Sequence, residues 1–145
     1  MKAYADSGFI VALYLQQQSS TVATAFMQHQ EGPLPFTPWH RLEVRNAIRL
    51  AEFHKLIDPP QGKGQLRQME ADLHEETVLV HTPLDWVTVL RTAEKLGTAH
   101  TAVIGCRSAD LFHVAAAVEL EFDLFLTFDE RQSRMAQRAG LSVNF

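Results

Sequence analysis

Four carboxylates, Asp6, Glu43, Asp110 and Asp129, stand far apart in the chain, each beside a sequence signal for the end of a strand or the early part of a helix. Carboxylates gathered in one place repel, and each raises the cost of ionising its neighbour. A divalent cation removes that conflict. Mg²⁺ and Mn²⁺ prefer oxygen ligands, and Mg²⁺ commonly takes one or two carboxylates, several waters and a substrate phosphate. Such a cation activates water, holds a phosphodiester in line and stabilises the leaving oxygen. No serine, cysteine or histidine nucleophile is then needed. Each acid also has a purely structural reading. Asp6 and Asp129 could cap helices, Asp110 could sit in a first turn where the helix dipole favours it, and Glu43 could pair with Arg41 or Arg45.

The elements that must position these acids can be read from pattern. KAYA predicts a short strand ending at Asp6, and Ser7 is a plausible N-cap for a helix carrying Phe9, Ile10, Leu13 and Tyr14. A second helix is expected from Ser19 or Ser20 to about Gln30, and a short strand over 34–37. Residues from Trp39 to about Lys55 have helical spacing, Pro59 and Pro60 mark a boundary, and Gln61–Glu75 is polar and helical. TVLVHT (77–82) predicts a strand. Leu84–Leu96 predicts a helix stopped by Gly97, and Ser108 is expected to cap a helix to about Glu121. DLFLTF (123–128) predicts a buried strand leading to Asp129. A helix follows to Ala139, Gly140 ends it, and LSVNF is a final strand. Strands alternating with helices imply parallel strands with crossover helices, an α/β three-layer sandwich. In open α/β sheets the binding crevice lies beyond the carboxyl ends of the strands. That rule puts Asp6 and Asp129 on one rim, where Asp110 and Glu43 can join them. Capping alone requires no such shared placement. Asp123 precedes its strand and belongs at the opposite rim, and Glu130 is expected to point outward.

The 145 residues fit a single domain over the whole chain. The lone Cys106 supplies no disulfide framework and no cysteine zinc site, and it reads as a small apolar filler. The seven histidines form no HExxH or HxH pattern. GFIVALYL (8–15) is too short to span a bilayer, and it lacks the flanks of a signal peptide, so a cytoplasmic location is expected. The net charge of −4 argues against a protein that coats nucleic acid. It does not exclude a nuclease: without the four site acids, acidic and basic residues are equal in number.

The segments YADSGFIVALYL (4–15), FTPWHRLEVRNAI (36–48), RSADLFHVAAAVEL (107–120) and TFDERQSRMAQRAGLSV (127–143) resemble the signature segments of PIN domains, in order and over nearly the whole chain. RSxDxxHVAAA and TFDxRQ look especially like toxins of the VapC type, from type II toxin–antitoxin pairs. The resemblance implies a PIN-like α/β/α sandwich with a central parallel sheet, Mg²⁺ or Mn²⁺ as cofactor, and endonucleolytic cleavage of RNA. It gives the acidic roles to Asp6, Glu43, Asp110 and Asp129, with Asp6 and Asp129 as the main metal ligands. Ser7 and Thr127 stand where the family often has a hydroxyl, which could orient a carboxylate or a water. A homodimer and a small cognate antitoxin protein are the partners it implies, besides the RNA substrate.

Around these acids, His113 is one turn beyond Asp110 and reads as a packed histidine, with RNA contact as the alternative. Arg107, Arg131 and Arg134 could meet phosphate or simply be solvated. Trp39 and Trp86 read as core or interface residues. Two other functions compete. A catalytically silent PIN-like module would bind RNA or protein, but the complete acidic set argues against it. A phosphohydrolase with Asp6 as nucleophile would need a second aspartate two residues on, where Gly8 stands, and a late lysine, yet none follows Lys95.

Overall fold

Every strand in the computed structural model, which describes residues 1–144, is two or three residues long and pairs in parallel. In chain order the elements are β1 (Ala3–Ala5), α1 (Ser7–Tyr14), α2 (Ser20–His29), β2 (Leu34–Phe36), α3 (Pro38–Phe53), α4 (Pro59–Glu75), β3 (Leu79–His81), α5 (Trp86–Ile104), α6 (Ser108–Glu119), β4 (Leu124–Leu126), α7 (Glu130–Arg138) and β5 (Ser142–Val143). Parallel pairs require crossover connections, and helices supply them here. The α/β class with parallel strands matches the expectation from the sequence. Among the described residues, no helix is long and apolar enough to cross a membrane.

The chain divides into two compact units. One comprises residues 1–6 and the chain from Leu84 onward. Its sheet has the order β1-β4-β5, with Ala3 opposite Leu124 and Ala5 opposite Leu126. All three residues of β1 are buried, as expected of a parallel strand, whose two faces are both covered. Tyr4 stacks on Phe125 with ring centroids 5.8 Å apart and meets Phe122 edge-on. Its hydroxyl lies 2.8 Å from His113 Nδ1. His113 is therefore a buried partner of the core, as the packed reading expected. Each fully buried aromatic ring of this kind contributes about 1.5–3 kcal/mol.

Two helix boundaries in this unit depart from the sequence reading. Gly97 does not stop α5, which runs on to Ile104 and ends at Gly105 in the left-handed region with φ +77°. The reason for glycine at 97 is packing. A Cβ there would stand 2.9 Å from Leu111 Cδ2 of α6, so the missing side chain permits a close approach. Ser108 is the first residue of α6 rather than its cap. Arg107 holds the cap position, without a side-chain cap bond. The final strand is confined to Ser142–Val143, and Phe145 lies outside the described residues.

The other unit comprises Ser7–Pro83. Its two-stranded sheet pairs β2 with β3, Leu34 opposite Leu79 and Phe36 opposite His81. Thr37 starts α3 with a capping box. Its hydroxyl accepts from the His40 backbone N–H, and its own N–H donates to His40 Nδ1, with Pro38 in the first turn. Asp58 does the same for α4 with Gln61. Pro59 and Pro60 thus lie inside the start of α4, where a missing N–H costs nothing. Tyr14 donates its hydroxyl to Asp72 at 2.6 Å, tying α1 to α4.

Candidate active site

The parallel register places the site. Ala5 pairs with Leu126, so Asp6 and Thr127 emerge side by side at the carboxyl ends of β1 and β4. The ladder reaches one residue further, because the Asp6 N–H donates to the Leu126 carbonyl at 3.0 Å. Thr127 then donates its hydroxyl to Asp6 Oδ2 at 2.7 Å and accepts from the Asp129 N–H at 3.0 Å. Asp6 and Thr127 are both buried, 7% and 3% exposed. A carboxylate at that depth must be held by charge-assisted bonds.

Asp129 caps α7, its Oδ1 accepting from the Gln132 N–H at 2.8 Å. Asp110 lies in the first turn of α6. Both acids therefore sit at helix N-termini, where the partial positive charge of unpaired N–H groups offsets their mutual repulsion. They line an open cavity of about 400 Å³ together with Cys106, Arg107, Glu130 and Arg131. Glu130, expected from the sequence to point away, is on its wall. Burial pushes the Cys106 thiol up to about 11, and the charges of Asp110 and Asp129 add to the effect. Asp6 is not among the residues lining this cavity and is joined to it through Thr127.

Gln132 had no role in the sequence reading. It is wholly buried. Its Nε2 donates to the Asp110 carbonyl at 3.0 Å, and its Oε1 lies 2.9 Å from Thr127 Oγ1. With Nε2 committed to a carbonyl, Oε1 can only accept. The single Thr127 proton thus stands between two acceptors, Asp6 and Gln132. The signal available in the sequence was periodicity: Gln132, Met135 and Ala136 share the buried stripe of α7.

Glu43 lies in α3 of the other unit, where Ser7, the first residue of α1, donates its hydroxyl to Glu43 Oε1 at 2.8 Å. Arg41 and Arg45 both turn to Glu70, at 2.6 and 3.2 Å.

The donors suit a hard cation. Asp6, Asp110 and Asp129 offer carboxylate oxygens. Among the described residues no three His, Cys, Asp or Glu side chains form a ready-made ion cage. Mg²⁺ does not require one, since water completes its shell beyond one or two carboxylates.

Acids at strand ends and helix starts stand where parallel α/β sheets bind their ligands. The PIN domain family profile matches residues 3–138, and the chain belongs to the PIN domain family. PIN domains are generally nucleases. No curated protein matches the chain in sequence. Among solved structures it is similar to FitAcB from Neisseria gonorrhoeae, with a TM-score of 0.70 and 15% identity over 99% of this chain and 96% of that one. At that identity the likeness is one of fold.

Proposed function

We propose that this protein is a Mg²⁺- or Mn²⁺-dependent endoribonuclease, the toxin of a type II toxin–antitoxin pair of the VapC type. The observation that carries the reading is the hydrogen-bonded chain from Asp6 through Thr127 to Asp129, beside a cavity that also holds Asp110, Arg107 and Arg131. The family match and the full set of four acids support it.

In this reading Asp6, Asp110 and Asp129 hold the cation, and Glu43 completes the set directly or through water. When bound, the cation supplies the charge that makes water nucleophilic and steadies the leaving oxygen. The protein's own part is orientation. Thr127 keeps the Asp6 carboxylate in one rotamer, and the N-cap bond to Gln132 does so for Asp129. Arg107 and Arg131 offer planar donor forks to the phosphate oxygens of RNA at the cavity mouth. Hydrolysis adds the water oxygen to phosphorus and breaks one P–O ester bond, and the departing oxygen takes up a proton. The cation offsets the acids' charge, so an acidic protein can accept a polyanion. A cognate antitoxin and a second copy of the chain are the proposed protein partners, in the cytoplasm.

The test is cleavage of a mixed-sequence RNA by the purified protein. Mg²⁺-dependent internal cuts are expected, and both EDTA and Asp6→Asn should remove them. Cleavage that survives chelation and Asp6→Asn overturns the metal-site reading. Absence of cleavage of any RNA, with Mg²⁺ or Mn²⁺ present, favours the silent binding module instead.

A further inference from the structure

We propose that Gln132 is the positioning residue of the acidic site, setting how Asp6, Asp110 and Asp129 stand with respect to one another. The proposal deepens the nuclease reading and rests on it. Three bonds made by one wholly buried residue carry it. The side-chain amide donates to the Asp110 carbonyl in the first turn of α6. The side-chain carbonyl faces the Thr127 hydroxyl at the end of β4, and that hydroxyl is bonded to Asp6. The backbone N–H holds Asp129 Oδ1. One residue therefore touches the support of each of the three acids, which come from positions 6, 110 and 129.

A glutamine three residues after an N-cap is common, but burial of its side-chain amide is not. A buried stripe position on α7, beside Met135 and Ala136, would ordinarily be apolar, and a buried amide is costly unless both of its ends are bonded. Both ends are bonded here, and both bonds lead toward an acid. The arrangement also gives Thr127 a choice. Its one proton can serve Asp6 or Gln132, so the hydroxyl can turn from the carboxylate to the amide without leaving a buried donor unpaired. A carboxylate that takes up a cation needs that proton less. Gln132 is the acceptor standing ready for it.

The experiment measures Mn²⁺ affinity by electron paramagnetic resonance for wild type, Gln132→Met, Thr127→Val and the double variant. Methionine keeps the volume and removes both side-chain bonds. The expected result is Mn²⁺ binding about tenfold weaker in Gln132→Met, the lower end of the range for partners that orient metal ligands. The loss in the double variant should be smaller than the sum of the single losses, because both act on one chain of bonds. With saturating Mn²⁺, Gln132→Met should lower kcat on an RNA oligonucleotide and leave KM within about twofold. Wild-type affinity retained by a folded Gln132→Met overturns the positioning role and leaves the nuclease reading standing. A wild-type protein that binds no Mn²⁺ overturns both. Should Gln132→Met not fold, the wild-type protein decides: the Gln132 side-chain NH₂ resonances must shift during a Mg²⁺ titration, with the same midpoint as the Asp129 amide. Resonances that stay still overturn the proposal.

Discussion

Thr127 donates its hydroxyl to Asp6 at 2.7 Å, although 121 residues of chain separate them. The bond exists because β1 and β4 pair in parallel with Ala5 opposite Leu126, so the next residue of each strand meets the other. Two expectations from the sequence, an acid after the first strand and a hydroxyl before the last acid, turn out to be one contact. This contact and the bonds of Gln132 reach the supports of Asp6, Asp110 and Asp129.

Asp129 caps α7 and is a proposed metal ligand, and substitution can separate the two roles. Asparagine caps a helix as well as aspartate does, whereas alanine loses about 1 kcal/mol. Asp129→Asn should therefore keep the stability of the wild type to within a few tenths of a kcal/mol, and Asp129→Ala should lose about 1 kcal/mol in urea denaturation. Both should lower RNA cleavage by at least about a hundredfold, the scale on which supporting groups around a metal already act. Cleavage by Asp129→Asn at the wild-type rate would remove the acid from the site.

Gly97 stands in the middle of a 19-residue helix, where alanine would normally gain about 1 kcal/mol. The added Cβ would meet Leu111 Cδ2 at 2.9 Å, and overpacking of a buried contact costs about 1–3 kcal/mol. The second effect is at least as large as the first. Gly97→Ala should yield no gain in thermal stability, and Gly97→Val should be clearly destabilised. A Gly97→Ala protein with a melting point several degrees higher would show that Leu111 moves aside freely.

Tyr14 holds its proton more tightly than an ordinary tyrosine, through burial first and then its bond to the Asp72 carboxylate and that group's charge. The folded-state pKa lies above the unfolded one. The stabilisation is thus complete below the ordinary value of 10.0 and is lost as pH rises past it, where only the unfolded chain releases the proton. Stability measured by urea denaturation should fall between about pH 10 and 11. Tyr14→Phe should start lower and show a shallower fall. An equal slope in both proteins would assign the alkaline loss to other groups.

Cys106 should be slow to alkylate. Burial and the charges of Asp110 and Asp129 push its thiol to about 11, so little thiolate exists near neutral pH. Iodoacetamide labelling of the folded protein should rise only in the alkaline range, and Asp129→Asn should bring it to lower pH. Fast labelling at pH 7.5 would mean that the cavity does not carry the negative potential described above.

How much of this could be read from the residues differs from place to place. β4 and α7 were legible because an apolar run, an aspartate cap and an amphipathic stripe follow one another within a few positions. Gly97 misled because the same residue type marks a helix end and a close approach, and only the neighbour at Leu111 tells them apart. Ser108 looked like a cap by type, yet α6 begins one residue earlier than such a cap requires. Gln132 stood at the end of the TFDxRQ motif without a role assigned to it. Its partners lie at positions 127 and 110, and no local pattern encodes bonds to a backbone carbonyl 22 residues away. The Ser7–Glu43 bond spans 36 positions and was hidden for the same reason.

The pairing of β1 with β4 also governs when the proposed site can assemble. Translation makes Ala3–Ala5 well before Leu124–Leu126, and among the described residues β1 pairs with β4 alone. Until residues 124–127 have been made, Asp6 has neither Thr127 nor the β4 strand beside it. The proposed acidic cluster is therefore completed only once Asp129 has been made, long after Asp6.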